Sequence, residues 1–200
     1  MRHSPRQKAI GPNADGWTKR KILTCYSRFF DPLGLLAPFT IIPRHAFQAL
    51  WRQEIGWDDP LGPIQEWQDW LESAKRDVVK IKIPRCVTRL LDQGACDVVE
   101  QSLHVFADAS TYALGVAIYL VTVYADGLVI TNNVRSRAKL AQLKPTTIPR
   151  LELAAALLAV ETAQNVITTY KLDKITYYTD STTTLLWLRT KLLLKGVSTW

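Results

Sequence analysis

The chain contains few of the residues that build disulfide frameworks and zinc centres. Three cysteines and three histidines occur among 200 residues. Cys25, Cys86 and Cys96 are odd in number and lack Cys-x-x-Cys spacing, which argues against a disulfide scaffold. His3, His45 and His104 are too scattered to complete a zinc site with them. A structural metal of that kind is therefore not expected.

Long apolar runs are also lacking. The uncharged stretch from Ala113 to Ala125 is shorter than the roughly 18–20 residues of a membrane-spanning helix, and Pro38 interrupts LGLLAPFTII. The basic N-terminus, MRHSPRQKAIGPNADGW, has no apolar core followed by a small-residue cleavage site, so it does not resemble a signal peptide. We therefore expect an intracellular protein without a membrane partner. Cytoplasm and nucleus are not distinguished.

The composition is that of a globular, basic protein. Hydrophobic residues make up 48% of the chain and include seven tryptophans, enough for a substantial core in one large domain or two small ones. The formal net charge is +7. Such a surface favours a polyanionic partner, nucleic acid above all.

The first part of the chain has the periodicity of helices. Thr18 is a candidate N-cap for a helix that DPLG at 31–34 ends, Pro43 is predicted to open a second helix through about Glu54, and Pro63 a third. The apolar stripes are Ile22, Cys25, Tyr26 and Phe29 in the first helix, and Ile64, Trp67, Leu71, Ala74 and Val78 in the third. We interpret Trp51, Trp57, Trp67 and Trp70 as packing residues rather than a base-stacking surface.

The second part alternates between strand and helix patterns. SLHVFADAS, ALGVAIYLVTVY and LVITNNVRS predict a three-stranded meander with a hairpin turn at ADG, 125–127. A helix over LELAAALLAVETAQNVITTY, a strand over KITYYTD and a helix capped by Ser181 follow. The fold class is α/β (α+β), with helices followed by a βββαβα mixed sheet. The predicted segments are 1–16, a flexible basic N-terminus; 17–85, helical; 86–101, a linker; and 102–200, the sheet domain.

Three carboxylates stand in places where charge is costly. Asp108 is the only acid between residues 101 and 125, Glu152 is the only charged residue between 151 and 160, and Asp180 ends an apolar strand. A carboxylate removed from water needs a cation or hydrogen bonds to compensate it. Each also has a structural explanation, in a turn, at a helix N-terminus or at a helix start respectively.

Taken together, the three carboxylates predict a metal site. If the first and fourth strands are neighbours and the helix from Pro149 crosses them, Asp108, Glu152 and Asp180 converge at one end. Mg²⁺, or Mn²⁺ in its place, accepts oxygen ligands from such a group. Two ions can clamp the attacking and leaving oxygens of a phosphodiester. Small Ala155, Ala156 and Ala159 would let the helix lie close to the sheet.

The motifs FADAS, PRLELAAAL and YYTDS, in that order, resemble the ribonuclease H domain of retroelement polymerases. A wider match covers about residues 17–200. TKRKILTCYSRFFDPLGLLAPFTI, LWRQEIGWDDPL and TIPRLELAAALLA resemble the Pol polyprotein of BEL/Pao-type retrotransposons, where the connection region of reverse transcriptase, here 17–85, leads into ribonuclease H.

The resemblance implies hydrolysis of the RNA strand of an RNA/DNA hybrid with two Mg²⁺ ions. Asp108, Glu152 and Asp180 would be the catalytic metal ligands, with Asp108 bridging both ions. The partners would be the hybrid and the remainder of the polyprotein. The residues that would contact nucleic acid are Ser110, Ser181 and a basic run before the helix, Arg135, Arg137, Lys139 and Lys144, which is also typical of a solvated loop.

The chain departs from that family pattern. A fourth acidic residue and a nearby histidine, usual beyond the TDS helix, are absent, so the domain is expected to be C-terminally truncated and its activity impaired. No YxDD-type motif occurs, which argues against reverse transcription. The alternative is a nucleic-acid-binding remnant without turnover. A third interpretation, an aspartic peptidase, is disfavoured because DAS, ADG and DST do not supply the Asp-Thr/Ser-Gly loops of an aspartic dyad.

Overall fold

The structure of the chain is a computed structural model that describes residues 16–78, 81, 87, 88 and 96–195, the last five as helical backbone. The flexible segment predicted for residues 1–16 lies outside this range except for Gly16. The elements are α1 (Lys19–Tyr26), α2 (Ala37–Leu50), α3 (Gln65–Arg76), β1 (Val98–Ala109), β2 (Ala113–Tyr124), β3 (Val129–Leu140), α4 (Ile148–Tyr170), β4 (Ile175–Tyr178) and α5 (Thr182–Lys195).

The chain divides into two compact units. The first comprises Met1–Phe30 and Ile42–Ile81, and the second comprises Asp31–Ile41 and Lys82–Trp200. The short segment Asp31–Ile41, predicted as part of the helical segment 17–85, thus belongs with the sheet. The first turn of α2 is in the second unit and the rest of that helix is in the first.

The first unit is a small helical body with an aromatic interior. The hydroxyl of Thr18 caps α1 by accepting from the Lys21 amide at 3.2 Å, as predicted. The ammonium of Lys19 is buried and donates to the carbonyl of Ile55 at 2.7 Å, so its charge is satisfied by backbone oxygens. Trp67 and Trp70 are buried, whereas Trp51 and Trp57 pack edge to face with each other and remain partly exposed.

Pro43 does not open the second helix, so that prediction is wrong. The Asp31 carboxylate accepts from the amides of Leu35 and Leu36 at 2.9 and 2.7 Å and organises the turn from which α2 begins at Ala37. Pro43 therefore lies inside the helix, where it lacks the amide that would bond to the preceding turn. The ring is fully buried, and its packing offsets that loss.

The second unit contains a four-stranded mixed sheet in the order β3-β2-β1-β4. β1 pairs antiparallel with β2 and parallel with β4, and β2 pairs antiparallel with β3. The hairpin turn after β2 is confirmed, with Gly127 at φ 83. β1 begins at Val98, opposite Tyr124, so residues 98–101 of the predicted linker belong to the sheet.

α4 covers one face of this sheet and forms the main core with it. Ala155, Ala159 and Ala163 are almost completely buried, which lets the helix lie close to β1 and β2. By length and hydropathy alone, α4 is compatible with a membrane-spanning helix, the one such helix among the described residues. Its packing against the sheet is that of a core helix. The core residues beneath it include Leu103, Val105, Val116, Ile118 and Leu120.

Residues 31–41, here called the clasp, pack against the edge strand β3 of the sheet. The amide of Ser136 in β3 donates to the carbonyl of Leu33 at 2.8 Å. Gly34 follows with φ 74, and a Cβ there would lie 1.7 Å from the carbonyl oxygen of Ser136. Glycine is required at this position for two reasons, the left-handed backbone and the close approach.

We predict that Gly34→Ala destabilises the second unit by more than the about 1–3 kcal/mol of a strained backbone alone, because the methyl group must also displace β3. Gly127→Ala is the matched control, since Gly127 has φ 83 and open space around its Cβ position. Urea denaturation of both variants would measure the difference. Equal losses of stability would contradict the close approach of the clasp to Ser136.

Candidate active site

The parallel pairing of β1 and β4 brings two of the predicted carboxylates together. Phe106 is the register partner of Tyr178. Asp108 lies two residues after Phe106 and Asp180 two residues after Tyr178, so both extend the same pair of rows on the same face of the sheet. That face is the one opposite α4, because the neighbouring residues Val105 and Ala107 point to the core.

A cavity of about 700 Å³ lies on this open face. Asp108 and Asp180 are at one end of it, and its lining is otherwise mainly apolar. The bottom of the cavity is formed by residues of β2 and β3 whose small side chains leave space above the sheet. These residues are Ala113, Gly115, Ala117, Ser136 and Ala138. The clasp contributes the opposite wall through Ala37, Pro38 and Ile41.

Glu152 is held beside this cavity rather than in its lining. It lies in the second turn of α4, and its carboxylate accepts a hydrogen bond from the hydroxyl of Ser181, the residue after Asp180. The same Ser181 oxygen accepts from the amide of Thr184 at 3.1 Å and caps α5, as predicted. Ser181 is buried, so it connects Glu152 to the segment that carries Asp180.

The three predicted carboxylates do not form a complete metal-binding site in the described part of the chain. Among the residues that the structure describes, no group of three His, Cys, Asp or Glu side chains lies close enough to hold a metal ion. Two carboxylates share the cavity, and Asp108 is oriented by the amide of Ala109, which donates to its Oδ1 at 2.6 Å. Oxygen donors of this number suit Mg²⁺, which usually takes one or two carboxylates and completes its shell with water and substrate phosphates.

Ser110 belongs to the turn between β1 and β2. Its hydroxyl oxygen accepts from the amides of Tyr112 and Ala113 at 3.2 and 3.1 Å. The residue also lines the cavity next to Asp108. Its structural role is therefore to close the turn that fixes the end of β1, and contact with nucleic acid stays a prediction.

The side chains of the basic residues of β3 lie on the other side of the sheet, although Arg137 is also among the residues that line the cavity. Arg135, Arg137 and Lys139 are in β3, not in a loop, and are the cross-strand partners of Ile118, Val116 and Leu114, whose side chains face α4. Arg137 forms an ion pair with Glu161 of α4 at 3.7 Å. The Nε of Arg135 is buried without a hydrogen-bond partner in the described part of the chain. Lys144 is exposed in the following loop.

Sequence reasoning missed an aromatic wall beside the carboxylates. The rings of Phe106 and Tyr178 stack at 4.5 Å with an interplanar angle of 9°. The His104 ring also stacks on that of Tyr178, at 5.7 Å, and its Nδ1 is hydrogen-bonded to the Tyr178 hydroxyl at 2.8 Å. The signal was present in the sequence, since His104, Phe106 and Asp108 alternate along one strand.

These features define a class of protein. A meander followed by a helix and a parallel fourth strand, with acidic residues at the ends of the first and fourth strands and at the start of the helix, is the ribonuclease H-like arrangement expected from the motifs. The family model described as Pao retrotransposon-like RNaseH-like domain matches residues 18–181. The chain belongs to this family and is a fragment of a BEL/Pao-type retrotransposon Pol protein. No curated protein matches it.

We predict that Ser181→Ala destabilises the second unit by about 1–2 kcal/mol, because it removes the cap of α5 and the hydrogen bond to Glu152. Thr182→Ala, an exposed hydroxyl next to it, is the matched control and should change little. Thermal unfolding followed by circular dichroism would compare them. A Ser181→Ala protein as stable as the control would show that this hydroxyl does not hold the two helices together.

Proposed function

We propose that the second unit is a metal-dependent nuclease that hydrolyses the RNA strand of RNA/DNA hybrids. The observation that carries the proposal is the matched placement of Asp108 and Asp180 at the end of one open cavity. Membership of the ribonuclease H-like family supports the reaction class. The partners would be the hybrid and the rest of the polyprotein, inside the cell.

Asp108, Asp180 and Glu152 would each have a role in binding the metal ions. Asp108 and Asp180 would supply the oxygen ligands of the divalent ions, with the Ala109 amide keeping one oxygen of Asp108 in place. Glu152, held by Ser181, would add a third ligand from α4. When bound, two Mg²⁺ ions would activate water and neutralise the charge that develops on the leaving oxygen, and Mn²⁺ would substitute.

The exposure of Asp108 and Asp180 is consistent with a metal site whose remaining ligands come from water and substrate. Asp108 and Asp180 are both exposed, so ions, water and a phosphodiester can reach them. Two neighbouring carboxylates repel each other, and a divalent cation relieves that repulsion. The free energy of cation binding would therefore be largest when the substrate phosphate supplies further oxygens.

We expect Asp108→Asn and Asp180→Asn each to reduce RNA cleavage by at least about 10²–10³-fold, because each removes a charged ligand of the cations that would stabilise the anionic transition state. The assay is cutting of an end-labelled RNA/DNA hybrid in Mg²⁺ and in Mn²⁺, with free RNA and duplex DNA as comparison substrates.

Asp173→Asn, an exposed acid before β4, is the matched control and should cleave like the parent chain. Glu152→Gln should also be impaired, since it loses a ligand while keeping a group that can accept from Ser181. A folded parent protein that leaves the hybrid uncut in both metals would refute the nuclease proposal.

A second candidate function is nucleic-acid binding without turnover. The observation that favours it is the lack of a group of three metal-binding side chains among the described residues. The net charge of +7 and the exposed side chains of Lys139 and Lys144 would then provide the affinity.

For either function, we predict that Lys139→Gln weakens hybrid binding and lowers the slope of log affinity against log salt by about one. Lys139 is exposed at the end of the edge strand, whereas Lys171→Gln, at the far end of α4, is the control. Fluorescence anisotropy in metal-free buffer at several salt concentrations measures both. An unchanged slope would exclude Lys139 from the phosphate contacts.

A further inference from the structure

We propose that the cavity beside Asp108 and Asp180 binds one unstacked nucleobase of the nucleic acid. The proposal rests on the proposed function for the identity of the polymer, but the binding itself needs neither metal nor cleavage. It assigns a role to the clasp and the aromatic wall, two features that the catalytic proposal leaves unused.

The size and lining of the cavity suit a flat, largely apolar group. Its volume of about 700 Å³ lies within the about 300–1,000 Å³ typical of small-ligand pockets, which are also mainly apolar with a few polar groups. One wall is aromatic, formed by Phe106 and Tyr178, and the opposite wall is aliphatic, formed by Pro38 and Ile41. Between them, Gly115 and Ala117 leave the floor open.

The aromatic wall is exposed and held in place before any ligand arrives. Phe106 is 43% exposed and Tyr178 is 39% exposed, although both are large aromatic rings on the face of a sheet. The hydroxyl of Tyr178 is tied to His104, whose other ring nitrogen lies 3.2 Å from the hydroxyl of Ser102. A ring fixed in this way loses little conformational entropy when a base packs against it.

The carboxylates indicate why the occupant is a base attached to a phosphate backbone. An apolar molecule alone would place nothing near Asp108 and Asp180, and a free anion would be repelled by them. A nucleotide strand puts a flat ring in the apolar part, while its backbone remains outside with the counterions that the carboxylates attract. The net charge of +7 favours such a polyanion over a neutral ligand.

The test uses the whole chain and an RNA/DNA hybrid with one bulged 2-aminopurine in the RNA strand, in buffer without divalent metal. Stacking on the Phe106 ring should quench the 2-aminopurine fluorescence, and the bulged hybrid should bind about tenfold more tightly than the fully paired one. Anisotropy of a terminal label measures the affinities.

Ala117→Leu should abolish the quenching and the tenfold preference, because it fills the floor next to Phe106, its cross-strand partner. Ala125→Leu makes the same change in the exposed turn at the other end of the sheet and should preserve both. Phe106→Leu should reduce the quenching in a protein whose melting curve shows that it is folded.

Equal affinity for bulged and paired hybrids, or quenching that persists in Ala117→Leu, would overturn the proposal. These readouts are independent of the nuclease proposal, since both are made in buffer without divalent metal, where no cleavage is expected. A parent chain that cleaves a paired hybrid without any preference for the bulge would support catalysis and refute the base pocket.

Discussion

The parallel pairing of β1 with β4 is the constraint on which the site depends. A parallel neighbour cannot be reached by a tight turn, so the chain needs a long crossover, which α4 supplies over one face of the sheet. The pairing fixes Phe106 beside Tyr178, and the two-residue period then carries Asp108 and Asp180 onto the same face. A register shift of one residue would turn Asp180 towards the core.

The clasp imposes a second constraint at the other side of the sheet. β3 is an edge strand, so the amide of Ser136 would otherwise be exposed. It donates a hydrogen bond to the carbonyl of Leu33 instead. Because Gly34 touches the backbone of β3, the start of α2 lies over the open face instead of in solvent. The segment DPLGLLAP therefore builds part of the cavity, although its last residue, Pro38, precedes the sheet by about sixty residues.

Local patterns in the sequence predicted much of this fold. β2 was found with its observed bounds because an almost continuous apolar run ends at the ADG turn, and Thr18 and Ser181 were recognised as caps from residue type. The predictions that failed depended on distant contacts. Pro43 is tolerated inside α2 because the helix start is set by Asp31, twelve residues earlier, and the extension of β1 to Val98 depends on pairing with Tyr124.

The candidate site likewise combines features that local sequence patterns predict with features that depend on distant contacts. Three isolated acids could be singled out from the sequence because a charge among apolar residues is costly, but their distances depend on side-chain contacts that no motif encodes. The Ser181 hydroxyl holds Glu152 beside α5, while Asp108 and Asp180 open onto the cavity. Ser181 donates to Oε2 of Glu152, so the other carboxylate oxygen remains able to accept a cation. Because no three potential ligands lie close enough together among the described residues, assembly of all three would require α4 and the Asp180 segment to move together, which the bond between Glu152 and Ser181 allows.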